Sequence, residues 1–480
     1  MQLRALSILN LIRHRRLIRG ACTVCALAFG VLYFGAASAN AEISGFFTEV
    51  RQIEELDLGR WHDDFASVSA DGLEIYISSD YAVFPDPVPS RSVYTRVREL
   101  FVARRSSIDE PFGDRELLPF TQPGDYQPRL TADGLTMTFS RPGTDNRVWM
   151  TSRESSENDW SDPVPFPEVI GADQVFEVDM SVDRLRIVFR DFNEQGDVGW
   201  FLASRQTVTD PFQLTAELDE TSSVGRQDYS HSLPLDEKTI FFSSGDRNFN
   251  LPEIRVAERG SEESVFGSWT NVDQFSDVQN EDAEPINHLA AVWGPSISPD
   301  WPADGSKLYF SASCCNDNWN LYEATWRQST PTEGDFTSDA VLDIDDISLL
   351  EKAIKYQVPA ASYDLNNDGT VDIDDRQFWI TDIKNTWIGD SNLDGEFNSS
   401  DFVVVFQAGE YEDGIAGNSS WATGDWNGDF EFDSGDFVVA FQEGGYEKGH
   451  RAAVQLVPEP SGCALFLGGT LGLLLCARRF

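Results

Sequence analysis

Hydrophobic and polar residues alternate along residues 42–328 in a pattern that occurs five times. Each occurrence reads as an alternating strand, a turn and a second alternating strand, as expected of a half-buried hairpin. An Asp-Gly pair or a substitute marks the turn, and Asp-Gly suits a turn whose backbone must visit positive φ. The five segments are FASVSADGLEIYISS (65–79), PRLTADGLTMTFSR (128–141), FEVDMSVDRLRIVFRD (176–191), YSHSLPLDEKTIFFSS (229–244) and PSISPDWPADGSKLYFSAS (295–313).

A third strand follows each hairpin, and after four of them comes a looser segment with an aromatic residue and a proline or glycine. Four strands in a unit of roughly 50 residues, repeated several times, predict a β-propeller of about five blades. The fold class is therefore mainly β, with a two-sheet β-sandwich as the alternative. The predicted turn positions are Asp71, Asp133, Asp183, Asp236 and Asp304.

The fifth repeat stops after its third strand, near Arg327. We expect the segment SGFFTEVRQIEEL (44–56) to supply the missing outer strand, since this closes the ring without an exposed edge. The repeats resemble the PD40, or TolB-like, propeller repeats of the WD40 type, most clearly at SADGLEIYISS and TADGLTMTFSR. The third and fourth repeats lack the turn glycine of that pattern.

Residues 329–450 contain oxygen-rich loops with the spacing of calcium ligands. Such a loop places ligands at positions 1, 3, 5, 9 and 12 and a glycine at position 6. Two segments fit fully, DLNNDGTVDIDD and DSNLDGEFNSSD. Their predicted ligands are Asp364, Asn366, Asp368, Asp372 and Asp375, and Asp390, Asn392, Asp394, Asn398 and Asp401.

Two further loops depart from the pattern at position 6. One has Phe430 there and predicted ligands Asp425, Asn427, Asp429, Asp433 and Asp436. The other has Ala340 there, with Asp335, Thr337, Asp339, Asp343 and Asp346 at the ligand positions. Acidic, solvated loops without metal are the alternative, and this alternative is strongest for the loop that begins at Asp335.

Each loop runs into an apolar, helix-compatible segment and ends with Asp at position 12. A helix on that side only resembles the dockerin type I repeat, which implies a small α-helical, EF-hand-like module with Ca²⁺ as its cofactor. In dockerins, loop positions 10 and 11 help to recognise a cohesin. Only Ser399-Ser400 matches that pattern, whereas Ile373-Asp374 and Ser434-Gly435 do not, which argues against a cohesin partner.

Both ends of the chain look like processing signals. A basic start, the apolar stretch ACTVCALAFGVLYFGAAS and Ala39-Asn40-Ala41 predict a secretory signal over residues 1–41, with an uncleaved membrane anchor as the alternative. Residues 451–480 carry Val457-Pro458-Glu459-Pro460, a short apolar run and two terminal arginines. This tail resembles the PEP-CTERM sorting signal, which implies transient membrane anchoring, sorting by an exosortase-like enzyme and a location at the cell envelope or in the extracellular matrix. A plain C-terminal anchor is the alternative.

The net charge and the cysteine content limit the kinds of partner and stabilisation that this protein can have. The 480 residues include 80 Asp and Glu against 36 Lys and Arg, a formal net charge of −44. This argues against a nucleic-acid partner, which needs clustered Lys and Arg, and favours divalent cations. Away from the end segments only Cys314 and Cys315 remain, and a vicinal disulfide and two buried thiols are equally open readings.

Two hypotheses for the function follow. The first is a non-enzymatic surface protein whose propeller binds a polysaccharide or a surface protein, so that no catalytic residue is assigned. The second is a secreted glycoside hydrolase, because acidic residues precede the first strand of most repeats and paired carboxylates can cleave glycosidic bonds. The carboxylates that would serve in the second case are Asp64, Asp125, Glu177 and Asp228.

Overall fold

The structure is a computed structural model. It describes residues 45–57, 63–80, 98–143, 147–192, 198–218, 226–246, 253–261, 264, 266–267, 269–272, 291–313, 319–328 and 332–451. The predicted signal segment, the sorting motif Val457 to Pro460 and the pair Cys314 and Cys315 lie outside these residues. Among the described residues, no helix has both the length and the apolar character needed to cross a membrane.

The described strands form five separate sheets, which confirms the five-bladed β-propeller and excludes the sandwich. Blade 1 contains β2 (Asp63–Val68), β3 (Glu74–Ser79), β4 (Glu99–Arg104) and β5 (Glu116–Leu117). Blade 2 contains β6 (Tyr126–Leu130), β7 (Thr136–Ser140), β8 (Val148–Ser152) and β9 (Val164–Pro165). Blade 3 contains β10 (Val169–Ile170), β11 (Val178–Met180), β12 (Arg186–Phe192), β13 (Val198–Ser204) and β14 (Phe212–Glu217).

Blade 4 contains β15 (Arg226–Ser232), β16 (Thr239–Asp246), β17 (Glu253–Glu258) and β18 (Thr270–Asn271). Blade 5 contains β19 (Ala291–Ile297), β20 (Lys307–Ser313), β21 (Trp319–Gln328) and, as its outer strand, β1 (Gly45–Gln52). The antiparallel pairing of β1 with β21 runs from Gly45 opposite Gln328 to Gln52 opposite Tyr322. The prediction that the N-terminal segment closes the ring is therefore confirmed.

An aromatic cluster fastens this closing strand. The Phe47 ring stacks on Trp301 at 5.4 Å between centroids and meets Trp326 edge-on at 5.2 Å. Phe241 of blade 4 contacts both Phe47 and Trp301, so the cluster also joins the fifth blade to the fourth. All four side chains are buried. Closure of the ring thus depends on apolar packing as well as on the β ladder.

The inner hairpin turns share one geometry in four blades. An aspartate side chain accepts a hydrogen bond from the backbone N–H two residues later, as Asp71 does from Leu73 at 2.9 Å. Gly72 and Gly134 have φ of 69° and 66°, and Arg184 and Glu237 adopt nearly the same φ, 61° and 53°, in the repeats without glycine. The other turn bonds are Asp133 with Leu135, Asp183 with Leu185 and Asp236 with Lys238.

The fifth turn differs from its prediction. Ser298 donates to Asp300 at 2.6 Å, the same contact that Ser69 makes with Asp71, so Asp300 is the equivalent residue. Asp304 instead accepts from the backbone N–H of Gln328 at 2.9 Å. Asp304 does lie in the turn, between Ile297 and Lys307, but it is not the counterpart of Asp71, because this turn is longer and contains Trp301 and Ala303.

In blades 1 to 4, an arginine at the end of the third strand of the blade donates to the inner hairpin turn. Arg153, for example, donates from Nε to the carbonyl oxygen of Gly134 at 2.9 Å and lies 4.5 Å from the ring centre of Trp160. The arginine therefore links the turn to the outer part of its blade. The other three sets are Arg105 with Gly72 and Phe112, Arg205 with Arg184 and Phe212, and Arg259 with Glu237 and Phe266.

The predicted helices follow the acidic loops. They are α1 (Ile344–Tyr356), α2 (Ile373–Phe378), α3 (Ser399–Ala408) and α4 (Ser434–Gln442). Loop position 9 is the N-cap of each helix, and the Asp at position 12 completes a capping box by accepting from the N-cap backbone N–H. Each acidic loop thus starts its own helix, because one set of side chains satisfies the free N–H groups of the first turn.

This helical module packs directly on one face of the propeller, the turn face, where the inner hairpin turns lie. Each blade contributes one apolar turn residue to the hydrophobic core of the module, which includes Phe336, Ile347 and Tyr363. The opposite face, where the inner strands begin, is called the entry face below. The five contributing turn residues are Ala70, Ala132, Val182, Leu235 and Ala303.

The closing strand generates a testable prediction. Phe47→Ala removes a buried ring from the aromatic cluster, so the free energy of unfolding should fall by about 3–5 kcal/mol. Phe47→Leu keeps most of the apolar volume and should cost clearly less. Urea denaturation followed by circular dichroism measures both, and equal, small losses would show that β1 does not hold the fifth blade.

Candidate functional site

Acidic side chains surround the propeller channel near the entry face, and arginines pair with them. Asp63 accepts from both terminal nitrogens of Arg115, at 2.6 and 2.5 Å. Asp64 pairs with Arg98 at 2.5 Å and accepts from the Ser78 hydroxyl. Each acid thus bonds to side chains of its own blade.

Asp125 forms a two-pronged pair with Arg141, with both N–O distances at 2.8 Å. It is fully buried and also accepts from the backbone N–H of Gln122. In blades 1 and 2, the acids at the start of the inner strand therefore bond to other segments of the same blade. The side chain of Asp228, the fourth predicted acid, is outside the described part of the chain.

Arg129 crosses the channel and contacts three other blades. Its terminal nitrogens donate to Glu177 at 3.1 Å, to the Ser230 hydroxyl and to the carbonyl oxygen of Ala66 at 3.4 Å. Glu177 also accepts from the backbone N–H of Ser230 at 3.1 Å. A buried arginine therefore links four blades, whereas the sequence analysis had singled out the carboxylates around the channel.

The inner strands bulge around this arginine. Phe65, Gln127 and Ser230 have positive φ, and the strand register shifts at each of them. Gly294 has the same conformation in blade 5, where an added Cβ would lie 3.2–3.3 Å from Phe65. Bulges re-aim side chains and break the ladder locally, so these four bulges shape the channel wall.

Neighbouring carboxylates in the channel have opposite pKa shifts. Burial raises the pKa of Asp179 to about 7, although Arg129 opposes the shift. The pKa of Glu177 is lowered despite its burial, because the charges of Arg129 and Arg190 favour the carboxylate. Burial also raises the pKa of Asp64 to about 6 and lowers that of His231 to about 3.

The acidic loops of the module share one hydrogen-bond network. In the loop 364–375, the two oxygens of Asp364 accept from the backbone N–H groups of Asp368 at 3.1 Å and Gly369 at 2.9 Å. Asp375 accepts from the N–H groups of Leu365 at 2.8 Å and Asp372 at 2.8 Å. The same first-position bonds recur at Asp335, Asp390 and Asp425, and the same last-position bonds at Asp346, Asp401 and Asp436.

The two loops without glycine at position 6 keep this geometry. Ala340 has φ of 64° and Phe430 has φ of 65°, in the same positive region as the 89° of Gly369 and the 91° of Gly395. A non-glycine residue with positive φ is strained, so the surrounding hydrogen bonds and packing hold these residues in place. The departures at position 6 therefore leave the shape of the loop unchanged.

Several loop carboxylates are buried among other carboxylates. Asp346, Asp390, Asp401 and Asp436 are almost completely buried. Burial raises the pKa of each of them, to about 7 for Asp346 and to about 6 for Asp390, and neighbouring loop aspartates add to the shift. Burying a carboxylate without a positive partner is costly, so the donor set suits a cation.

The carboxylate side chains alone do not form a metal-binding site. Among the described residues, no group of three or more His, Cys, Asp or Glu side chains is placed so that it could hold a metal ion. The amide oxygens of Asn366, Asn392 and Asn427 also face the loops, since each accepts from the backbone N–H of the aspartate at position 5. Coordination would therefore combine carboxylate, amide and main-chain oxygens, the ligand types that Ca²⁺ prefers.

An arginine of α2 lies beside the loop 425–436. Arg376 lies 3.9 Å from Asp425, donates to its carbonyl oxygen and forms a 2.9 Å ion pair with Glu351. Arg376 therefore offsets part of the negative charge of the loop 425–436, which sequence spacing did not reveal. The assignment of these residues as calcium ligands stays a prediction.

Scans of the chain against protein-family models and against curated proteins give no match. Solved structures that resemble it include a protein of unknown function from Dyadobacter fermentans, 11% identical over 58% of this chain and 99% of that chain, with a TM-score of 0.36. The catalytic domain of the GH62 α-L-arabinofuranosidase from Coprinopsis cinerea is 10% identical over 61% of this chain and 99% of that chain, with a TM-score of 0.38.

An oligogalacturonate lyase from Vibrio parahaemolyticus is 13% identical over 56% of this chain and 66% of that chain, with a TM-score of 0.28. All three TM-scores are below 0.5. These likenesses therefore carry no argument about the activity of this chain.

The opposite pKa shifts of Asp179 and Glu177 generate a prediction. Because the folded-state pKa of Asp179 lies above its usual 3.8, the folded protein loses stability as the pH rises from about 4 to about 7. Asp179→Asn abolishes this loss, so its stability relative to the parent should increase across that window and stay constant above it.

Glu177→Gln is the matched control with the opposite sign. The lowered pKa of Glu177 adds stability above its usual 4.5, and this contribution disappears as the pH falls through the folded-state pKa. Glu177→Gln should therefore be most destabilising at neutral pH. Urea denaturation at several pH values measures both variants, and parallel pH profiles for the two would contradict the assignment.

Proposed function

We propose that this chain is an exported, calcium-binding protein of the cell surface whose propeller binds a polysaccharide or protein ligand without converting it. The observation that carries the calcium part is the set of buried carboxylates at Asp346, Asp390, Asp401 and Asp436, whose charged neighbours are mostly carboxylates. A bound Ca²⁺ would neutralise this charge. Export and sorting rest on the sequence patterns of the two chain ends.

Two loops are the best candidates for calcium. Asp364, Asn366, Asp368, Asp372 and Asp375 would hold one ion, and Asp390, Asn392, Asp394, Asn398 and Asp401 would hold another. Both loops have glycine at position 6, so their backbone reaches the required conformation without strain. The loop with Asp425, Asn427, Asp429, Asp433 and Asp436 is a third candidate, in which Arg376 competes for the charge.

A non-catalytic propeller is supported by the state of its acids. Asp63, Asp64, Asp125 and Glu177 are all in ion pairs with arginines. A carboxylate that acts on a glycosidic bond must reach the substrate, whereas these side chains are buried and bonded within the fold. Because these acids are buried, we place ligand binding on the surface of the entry face.

Isothermal titration calorimetry of the full-length chain tests the calcium part. We expect calcium binding and a rise in melting temperature, since a ligand at 100 times its Kd stabilises by about 2.7 kcal/mol per site. Asp368→Ala removes a ligand from a regular loop and should weaken one site by about tenfold or more, because affinity follows the ligand charge.

Asp339→Ala is the matched control, because it changes position 5 of the loop with Ala340 and should have a smaller effect on calcium binding. Equal effects of the two changes would contradict the assignment of sites. If neither calcium nor a chelator changes the heat signal or the melting temperature, the calcium proposal is wrong.

Glycoside hydrolysis is the second candidate, and a single observation favours it. Glu177 and Asp179 lie two residues apart, and the pKa of one is lowered while that of the other is raised to about 7. Groups whose pKa values are pushed apart in this way are typical acid and base partners. Both are buried, which argues for the binding function first.

Assays of the full-length chain on plant, algal and bacterial polysaccharides decide between the two candidates. The binding proposal predicts ligand retention without released sugar. Turnover that Glu177→Gln or Asp64→Asn abolishes, with the fold intact by circular dichroism, would establish the hydrolase instead.

A further inference from the structure

The outward side of α3 and α4 is apolar. The Phe402 ring stacks on Phe441 at 6.1 Å between centroids, and the Phe406 ring stacks on Phe437 at 6.2 Å, so the two helices run antiparallel. Phe406 and Phe441, at the two ends of this row of rings, are about half exposed. We call this surface the α3–α4 strip, and its exposed residues are Val403, Val404, Phe406, Val438 and Phe441.

The α3–α4 strip carries no exposed charge. The charged residues within α3 and α4 are Asp401 and Asp436, and both side chains are buried. A surface helix usually turns a charged face to water, and the chain as a whole has a net charge of −44. Exposed apolar patches of this kind mark places where another segment or another molecule binds.

The described part of the chain ends beside one end of the strip. Arg451 forms a 3.4 Å ion pair with Glu443, which follows α4 directly, and donates to the carbonyl oxygen of Thr386 at 2.8 Å. Phe441 lies two residues before Glu443, so Arg451 is held near the Phe441 end of the strip.

The remaining sequence is long enough to cover the strip. Residues 452–462 connect Arg451 to the apolar run 463–477. A connection of this length spans up to roughly 40 Å. The 10 residues of α3 extend over only about 15 Å, so the apolar run can reach both ends of the strip.

The charges at the far end of the strip suit the end of the chain. The chain leaves α3 two residues beyond Phe406 and then carries Glu412 and Asp413, whose side chains are exposed. Arg478 and Arg479 follow the apolar run directly. An apolar run that crosses the strip from the Phe441 end therefore brings two arginines towards acidic side chains.

The same charges disfavour other occupants of the strip. A second copy of the chain would bring an equally acidic surface to it, and like charges at an interface oppose association. Helices that bind anionic membranes carry Lys and Arg beside their apolar face, whereas α3 and α4 contain neither residue. The apolar run of the same chain is instead tethered, at an effective concentration on the order of millimolar for a short linker.

We propose that the α3–α4 strip binds the apolar run 463–477 of the same chain, with Arg478 and Arg479 at its acidic end. The module thereby shields the run from water until a membrane takes it up. The inference goes beyond the proposed function and needs neither a bound metal ion nor a ligand of the propeller.

Disulfide trapping in the full-length chain tests this contact, because the apolar run contains Cys463 and Cys476. In detergent-free buffer under mild oxidation, Val403→Cys should form a disulfide with one of them within the same chain, which peptide mass spectrometry identifies. Val208→Cys is the matched control, since Val208 of blade 3 is 55% exposed and Val403 is 56% exposed. The control should form no disulfide with the run.

Three results of the trapping experiment would overturn the proposal. Equal trapping in both variants would show that the run reaches any exposed thiol. A disulfide that joins two chains through the introduced cysteines would assign the strip to a second copy. The absence of any disulfide between the run and the cysteine of Val403→Cys would show that the strip and the run do not meet.

Limited proteolysis with chymotrypsin gives an independent measurement. Val438→Asp places a charge on the strip, so the run should be released and cleavage at Leu465 and Phe466 should become severalfold faster. Val208→Asp is the control and should leave this rate unchanged, with the fold of both variants checked by circular dichroism. An unchanged rate in Val438→Asp would contradict the docking.

Phosphatidylcholine vesicles separate the strip from a membrane as the cover of the run. The proposal predicts that cleavage of the parent chain is already slow without vesicles. Cleavage that is equally fast in the parent and in Val438→Asp, and that only added vesicles slow down, would show that the membrane alone protects the run.

Discussion

The arrangement of the rest of the molecule depends on the geometry of the inner hairpin turns. In four blades an aspartate accepts from the turn backbone, a residue with positive φ reverses the chain, and an arginine from the third strand holds the turn carbonyl. The turns consequently lie at one level around the channel and present one apolar residue each. A module can rest on such a ring only because the five contacts come to the same face.

Buried carboxylates have different hydrogen-bond and ion-pair partners in the propeller and in the module. Asp63, Asp64, Asp125 and Glu177 of the propeller pair with arginines, and Arg129 by itself links four blades. Buried acids of the module mostly have backbone amides and other acids as neighbours. The same residue type is therefore neutralised by arginine in the propeller and satisfied mainly by backbone amides in the module. This contrast underlies the proposed function.

Much of the fold could be predicted because its signals are local. The alternating strands, the four turn aspartates and the helix after each loop all depend on residues within about a dozen positions of one another. The order of the repeats also allowed the prediction that β1 closes the ring. Asp304 lies in the fifth turn as predicted, but Asp300 rather than Asp304 accepts from a serine hydroxyl as Asp71 does. Likewise, Ala340 and Phe430 looked like defects, yet tertiary packing holds them in the loop conformation.

The sequence by itself determined the strands, the turns and the spacing of the candidate ligands, since backbone periodicity and short-range hydrogen bonds decide these. Tertiary structure alone decided which charges are neutralised and which surfaces meet. Arg129 reaches Ser230 over 101 residues, and Lys352 reaches Glu237 over 115. No local pattern marks such partners, because burial and charge pairing depend on where distant segments come together in space. The apolar turn residues are a further example. In the sequence they look like ordinary turn positions, and only the folded structure shows that the module covers them.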